Sequence, residues 1–313
     1  MIKKLSFVIP CYGSEKTICS VVEELEQVIK QRKNFEWEII LVNDNSPDDV
    51  WREISKLAEC NPNITGISLA RNFGQHSALM AGYSFCKGDV VISLDDDGQS
   101  PVESIYQLVD KLKEGYDVVY GYYPTMKQKQ YRKIGSMVNE KLTESLLGKP
   151  KGFKGSSFYA ARGFIIKEML KYKNAYPYVG GLVFRCTKNI TNIPVKHRER
   201  MEGMSGYTFG KLFSLWSNGF TAFSEKPLRL ASYVGVMCAM FGFLYGVFTI
   251  VHRIMNPEMQ MGYSSLMAVL LFVGGIIMLL LGVLGEYIGR IYISINSAPQ
   301  YVIRDVVGEH SNI

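Results

Sequence analysis

Apolar and polar positions follow two regimes along this chain. Up to Tyr123, short apolar runs alternate with longer stretches whose apolar residues recur at helical spacing. The runs "LSFVIP" (5–10), "WEIILVND" (37–44), "ITGISLA" (64–70), "DVVISLDDD" (89–97) and "YDVVYGYY" (116–123) predict strands. Between the first two, Ile18, Val21, Val22, Leu25, Val28 and Ile29 fall on one helical face. Residues 75–87 and 101–114 predict further helices, and the polar "NSPDD" turn after the second strand predicts one with Ser46 as cap and Pro47 at its first position. Strands alternating with helices imply an α/β fold, a mostly parallel sheet covered on both faces. Ligands of such sheets sit beyond the carboxyl ends of the strands, where Asp44 and Asp95 to Asp97 fall.

The second regime is continuously apolar. Neither Leu230–Val251 nor Met259–Gly285 holds a charged residue, and each run exceeds the roughly 20 residues that a helix needs to cross a bilayer. A buried core helix is the alternative, but uninterrupted apolar runs of this length are uncommon in soluble cores. Ahead of them, Phe209, Leu212, Phe213, Trp216, Phe220 and Phe223 share one helical face. So aromatic a face beside a span predicts a helix lying in the membrane interface, rather than one packed on the domain. The expected organisation is an α/β domain over 1–206, an amphipathic helix over 207–229, two transmembrane helices over 230–295 and a tail over 296–313.

Charge adds orientation. Arg229 and Arg290 flank the spans while the connector His252–Glu258 carries one arginine, so both ends are expected in the cytoplasm. The opening Met1-Ile2-Lys3-Lys4 leads straight into a foldable region, with no export signal expected. A formal charge of +6 suits an anionic leaflet. No basic run interleaved with aromatics marks a nucleic-acid partner. The six cysteines form no Cys-x-x-Cys pair and read as reduced thiols.

The triplet Asp95-Asp96-Asp97 needs a reason, since like charges repel. Carboxylates at a strand end suit hard divalent cations, Mg²⁺ or Mn²⁺. Alternation along the strand puts Asp95 and Asp97 on the same side, with Asp96 opposite and Gln99 as a further oxygen donor. Mg²⁺ is commonly held by one or two carboxylates plus substrate phosphates, which points to a nucleotide diphosphate. Acidic triplets also decorate loops, so the other strand ends matter. There stand Pro10, Tyr12 and Glu15 after the first strand, and Arg71 and Asn72 after the third. Gly74 and Gly82 would admit close backbone approach, and His76 reads as an inert residue of a helix start. Gly-x-Gly-x-x-Gly, Walker and Gly-x-Ser-x-Gly patterns do not occur, and four histidines make a His-rich metal cluster unexpected.

Together the stretches "VIPCYGSE", "EIILVNDNSPDD", "LARNFGQHSALMAGY", "GDVVISLDDDGQSP", "RMEGMSGYTFGKL", "KPLRLASYVG" and "VLGEYIGRIY" resemble glycosyltransferase family 2. The resemblance is to its membrane branch of polyprenyl-phosphate sugar transferases, which includes dolichol-phosphate mannose synthases and bacterial undecaprenyl-phosphate aminoarabinose transferases. It spans nearly the whole chain. It implies a GT-A fold in which Pro10, Tyr12, Glu15, Asp44, Arg71 and Asp96 bind the nucleotide sugar. It further implies that Asp95, Asp97 and Gln99 match a metal-binding pattern Asp-Ala-Asp-Leu-Gln, with Asp96 and Gly98 here at the inner positions. Arg200, Gly203, Ser205 and Tyr207 match a stretch near the acceptor phosphate, whose lysine is Gly206 here. Many relatives carry Gly-Asp-Phe-Arg-Leu with a basic Asp; here "KGSSFYAAR" offers Ser156 beside Gly155 and no carboxylate.

A lipid monophosphate, with a second pKa near 6, is largely a dianion at neutral pH and needs little deprotonation. It needs cations to hold it, for which Arg132, His197, Arg198 and Arg200, with Ser205, are the candidates; a solvated charged segment is the alternative for 197–200. The residues expected to carry the reaction are Asp95, Asp97, Arg200 and Ser156. The expected activity is inverting transfer of one sugar from a UDP-sugar to a polyprenyl phosphate at the inner face of a bacterial membrane, with a homo-oligomer in keeping with the family. A processive polysaccharide synthase would show Gln-x-x-Arg-Trp and more spans; a non-catalytic scaffold would bind nucleotide without turnover.

Overall fold

The short apolar runs pair into one sheet, and the pairing order decides what meets at its rim. A computed structural model of the protein describes residues 2–32, 34–124, 153–196, 226–255, 262–295 and 298–308. In chain order the elements are β1 (Lys4–Cys11), α1 (Ile18–Gln31), β2 (Glu36–Asn43), α2 (Val50–Cys60), β3 (Ile64–Leu69), α3 (Gln75–Tyr83) and β4 (Val90–Ser93). A 3-10 turn (Val102–Ser104) leads into α4 (Ile105–Lys113), then β5 (Val118–Tyr122), β6 (Tyr159–Arg162), α5 (Gly163–Met169), α6 (Val179–Cys186) and β7 (Ile190–Pro194). Two long helices, α7 (Lys226–Met255) and α8 (Tyr263–Ile295), precede β8 (Ile303–Val307).

The sheet runs β7-β5-β6-β4-β1-β2-β3-β8. β1 lies parallel to β2 and β4, and β2 parallel to β3, as βαβ crossovers require. β6 is antiparallel to both β4 and β5, and β8 is antiparallel to β3. The sheet is therefore mixed but mostly parallel, with β6 and β8 running against the other six strands. The strands that reverse it are the two that return after long excursions of the chain, and no local pattern announces them.

The stripe on α1 buries the six residues that its spacing singles out, each fully apolar side chain worth roughly 1.5–3 kcal/mol. α3 shows no stripe because Ser77–Tyr83 are all buried. It lies so close to the sheet that a Cβ on Gly82 would stand 2.5 Å from Val8 Cγ1 and 3.0 Å from Val42 Cγ2. Any larger residue there lifts α3 off β1 and β2.

Three local expectations change. β4 ends at Ser93, so strand alternation does not reach Asp95–Asp97. α2 begins at Val50, with Asp49 at its cap and Pro47 ahead of the helix. Ser46 cannot serve as cap because its hydroxyl accepts the Gly13 N–H at 2.8 Å and donates to Asp48. The segment expected as a tail instead supplies β8, paired with β3 from Gly66↔Val307 to Leu69↔Ile303.

Two compact units result, the sheet with its helices and β8, and the pair α7 and α8. In the second unit apolar side chains face outward, among them Met237, Phe241, Phe243 and Phe248 on α7 and Leu270, Phe272, Met278 and Leu279 on α8. Gly235 of α7 lies against Leu280 of α8. Among the described residues, one helix is long and apolar enough to cross a membrane: α8, through Phe272–Gly289, of mean hydropathy 1.9 and with none of it buried. The apolar stretch of α7, Gly235–Phe248, is shorter. Of the helix expected over 207–229, residues 207–225 lie outside the described residues, and Lys226–Arg229 form the first turn of α7.

Candidate active site

The loops that leave β1, β2, β3 and β4 at their carboxyl ends are bonded to one another. Gly13, at φ 72°, turns the chain after β1, and the Glu15 N–H donates to Asp48 Oδ2 at 2.9 Å. The Asp49 N–H reaches back to Glu15 Oε2 at 3.3 Å. Glu15 thus joins two loops. Pro10 lies inside β1, opposite Val42, rather than beyond the strand. The Tyr12 ring is 55% exposed and open to a ligand. Arg71 is exposed after β3, its guanidinium 4.6 Å above the Phe73 ring.

Asp44 stands at the tip of β2 and is 3% exposed. Its two oxygens accept the Phe73 N–H at 2.7 Å and the Gly74 N–H at 2.8 Å, so it shapes the turn into α3. Burial lifts its pKa, and the two backbone bonds only partly oppose that.

The acidic triplet forms a turn beyond β4, and each carboxylate has its own partners. Asp95 Oδ1 accepts from Gln75 Nε2 at 3.0 Å and Oδ2 from the Ser157 hydroxyl. Asp96 Oδ2 accepts the Tyr12 N–H at 2.9 Å, and its carbonyl accepts the Thr17 hydroxyl at 2.7 Å. Asp97 Oδ1 accepts the Gln99 N–H at 3.0 Å. Gly98, between the two partners of that last bond, has φ 73°, a conformation that explains glycine at this inner position.

Burial raises the Asp95 carboxyl to about 6, with Asp97 and Asp96 pushing the same way. Burial also raises Asp96. Tyr123, beyond β5, is pushed up to about 12 by burial and then by the charges of Asp95 and Asp97. No three His, Cys, Asp or Glu side chains among the described residues are arranged to ligate one ion. The donor set fits a hard cation that takes one or two carboxylates and completes its shell from elsewhere.

The two serines of the stretch 153–158 point to different partners. The Ser156 hydroxyl turns away from the triplet, donating to the Gly121 carbonyl and accepting the Phe158 N–H at 3.2 Å. Its neighbour Ser157 faces Asp95, because adjacent residues of an extended segment point to opposite sides. Ser157 and Gln75 are the partners of Asp95 that the sequence did not reveal. His76 sets its ring edge-on to Tyr178 at 5.2 Å between centroids, with no hydrogen-bond partner for Nδ1 among the described residues. Burial lowers its pKa to about 4, so it is neutral at physiological pH. Arg132, His197, Arg198, Arg200 and Ser205 lie outside the described residues.

Residues 6–172, more than half of the chain, match the model of glycosyl transferase family 2. The chain belongs to glycosyl transferase family 2. Residues 226–291 match a second model, the GtrB C-terminal hairpin. The chain is 38% identical over 314 residues to the undecaprenyl-phosphate 4-deoxy-4-formamido-L-arabinose transferase of Serratia proteamaculans, covering 99% of this chain and 96% of the relative. The enzyme of the same name from Proteus mirabilis is also 38% identical, with 98% and 95% covered. This chain is accordingly a glycosyltransferase of the polyprenyl-phosphate branch. Its fold is shared with the glucosyl-3-phosphoglycerate synthase of Mycobacterium tuberculosis, solved with Mn²⁺, UDP and phosphoglyceric acid. The TM-score is 0.52 at 19% identity, over 69% of this chain and 75% of that one. That likeness identifies a GT-A sheet.

Proposed function

We propose that this glycosyltransferase moves a single sugar from a UDP-sugar to undecaprenyl phosphate at the cytoplasmic face of a bacterial inner membrane, making a lipid-linked sugar for cell-envelope glycans. The observation that carries the reading is the acidic turn after β4. Asp95 and Asp96 sit buried beside further carboxylates, in surroundings that disfavour their charge. A divalent cation and the nucleotide diphosphate it accompanies would complete that arrangement. Asp95 and Asp97, with Gln99, would hold Mg²⁺ or Mn²⁺, the kind of ion present in the mycobacterial synthase. Bound there, the ion would stabilise charge on the departing diphosphate.

The chain's own residues then bind and orient. Tyr12 offers an open ring face to the donor's base, and its N–H fixes Asp96. Arg71 brings a cation to the same rim, which suits diphosphate oxygens. The relatives' names make 4-deoxy-4-formamido-L-arabinose the first sugar to test. A phosphate acceptor that is already anionic needs no carboxylate base, in keeping with a site whose nearest candidate, Ser156, is turned away. Attack from the face opposite the departing diphosphate inverts the anomeric carbon.

The account of the membrane rests on β8. The chain leaves the sheet unit, runs through α7 and α8, and returns to pair with β3. A strand of the catalytic sheet lies on the same side of a membrane as the rest of that sheet, so the intervening helices cross an even number of times. Two crossings, with the arginines near positions 229 and 290 inside, satisfy this constraint.

The test is incubation of the full-length protein in detergent with undecaprenyl phosphate, Mg²⁺ or Mn²⁺, and a panel of nucleotide sugars, reading lipid products by mass spectrometry. One sugar added to the lipid phosphate is expected. Polymer formation, or no lipid product from any UDP-sugar, contradicts the proposal.

A further inference from the structure

We infer that Ser157 and Gln75 are positioning residues for the cation site: together they fix the Asp95 carboxylate in the orientation that receives a divalent ion. This rests on the proposed role of Asp95 and adds two residues that act through it.

β4 and β6 pair antiparallel from Val90↔Arg162 to Ser93↔Tyr159. Carried two residues beyond the last pair, that register sets Asp95 opposite Ser157, and the Ser157 hydroxyl does donate to Asp95 Oδ2. One residue earlier the alternation reverses, and the Ser156 hydroxyl goes to the backbone of Gly121 and Phe158. Adjacent serines therefore have separate tasks, one on the carboxylate and one on β5.

The other oxygen of Asp95 is held from a different element. Gln75 opens α3, and its Nε2 donates to Oδ1 at 3.0 Å. Asp95 thus bridges α3 and the approach to β6, while its own N–H donates to Ser100 Oγ at 3.1 Å. The same three elements are joined again in the core. Tyr83 of α3 bonds through its hydroxyl to Ser93 Oγ of β4 at 2.7 Å and to the Tyr159 hydroxyl of β6. That inner tie is fully enclosed, with Tyr83 and Ser93 each 1% exposed. It prevents the rim groups from drifting apart.

An ionised carboxylate has about four acceptor positions. One neutral donor on each oxygen removes the rotational freedom of the group and leaves the remaining lone pairs for a cation. Both donors are uncharged, so they orient Asp95 without replacing the ion's charge. Hydrogen-bond partners of ligating carboxylates typically contribute 10–100-fold to metal affinity.

The experiment measures Mn²⁺ binding to the full-length protein in detergent, by electron paramagnetic resonance of the free ion, with and without UDP. Relative to wild type, Ser157→Ala and Gln75→Ala should each weaken Mn²⁺ about tenfold or more. Ser157→Thr, which keeps the hydroxyl, should recover most of the loss. Ser156→Ala should bind Mn²⁺ as wild type does. Melting temperatures without metal show whether each variant is folded, and Gln75, exposed at a helix start, supplies a readout even if Ser157→Ala does not fold. Wild-type Mn²⁺ affinity in both alanine variants overturns the inference and leaves the proposed function standing. Absence of Mn²⁺ binding by the wild type itself, with UDP present, overturns both.

Discussion

Gly66→Ala probes the joint on which the return of the chain depends. Gly66 lies in β3, opposite Val307 of β8. A methyl there would stand 2.6 Å from Ile54 Cγ2 on one side and 2.7 Å from Val307 Cγ2 on the other. Ordinary carbon contacts are about 3.5–4.0 Å, so the overlap is about 1 Å in each direction. Ile54 is 0% exposed inside the α2 layer, whereas Val307 is partly exposed on an edge strand, so β8 is the side that yields. Overpacking of this kind costs roughly 1–3 kcal/mol, and the lower entropy of the unfolded chain returns about 0.4–1 kcal/mol. The net loss is about 1–2 kcal/mol, or about 2–8 °C in melting temperature for a unit of this size. Val307→Ala deletes the methyl that is struck, so Gly66→Ala with Val307→Ala should melt above Gly66→Ala alone. Intrinsic fluorescence of the full chain in detergent measures both. A Gly66→Ala protein that melts like wild type, or a pair with no relief, refutes the placement of β8 against β3.

Ser156→Ala removes one hydroxyl bonded to β5 and should cost about 1 kcal/mol of stability with little change in transfer rate; a thousandfold rate loss, the scale of positioned proton transfer, would return Ser156 to the reacting atoms. His76 has a folded pKa of about 4 against 6.5 unfolded, so the stability it contributes is complete above 6.5 and is lost as pH falls through 4, at most about 3 kcal/mol. His76→Phe should remove that part of the acid sensitivity in melting curves from pH 7 to 4; identical curves for the two proteins would disprove it. In sealed right-side-out vesicles, the sheet unit and residues 298–308 should both resist external protease, and cleavage of either contradicts two crossings with both ends inside.

Local chemistry was legible wherever a pattern is completed within one element. The α1 stripe, the β1 to β5 runs and the carboxylates at strand ends all follow from side-chain period and polarity. What stayed hidden depends on pairing across long separations. Nothing around Tyr159 or Ile303 tells that these segments reverse the sheet, so neither β8 nor the Asp95–Ser157 contact was readable. For the same reason the sequence did not show that Ser157, rather than Ser156, faces Asp95. A two-residue period turns a register error of one into the opposite face. Asp44 was correctly placed at a strand tip, but its bonds to Phe73 and Gly74 depend on how β3 hands over to α3. α3 itself lacks a stripe because it is enclosed on nearly every side, and Gly82 was the one sign of that close approach.

The central claim is that Asp95 and Asp97 hold a divalent ion on the donor diphosphate. The direct measurement is transfer to undecaprenyl phosphate by wild type and Asp97→Asn, each with chelator, Mg²⁺ or Mn²⁺. The account predicts product from wild type only with a divalent ion, and a loss of about a hundredfold or more in Asp97→Asn, the upper end of what even indirect partners of a metal contribute. Undiminished transfer in chelator, or full activity of Asp97→Asn, would contradict it.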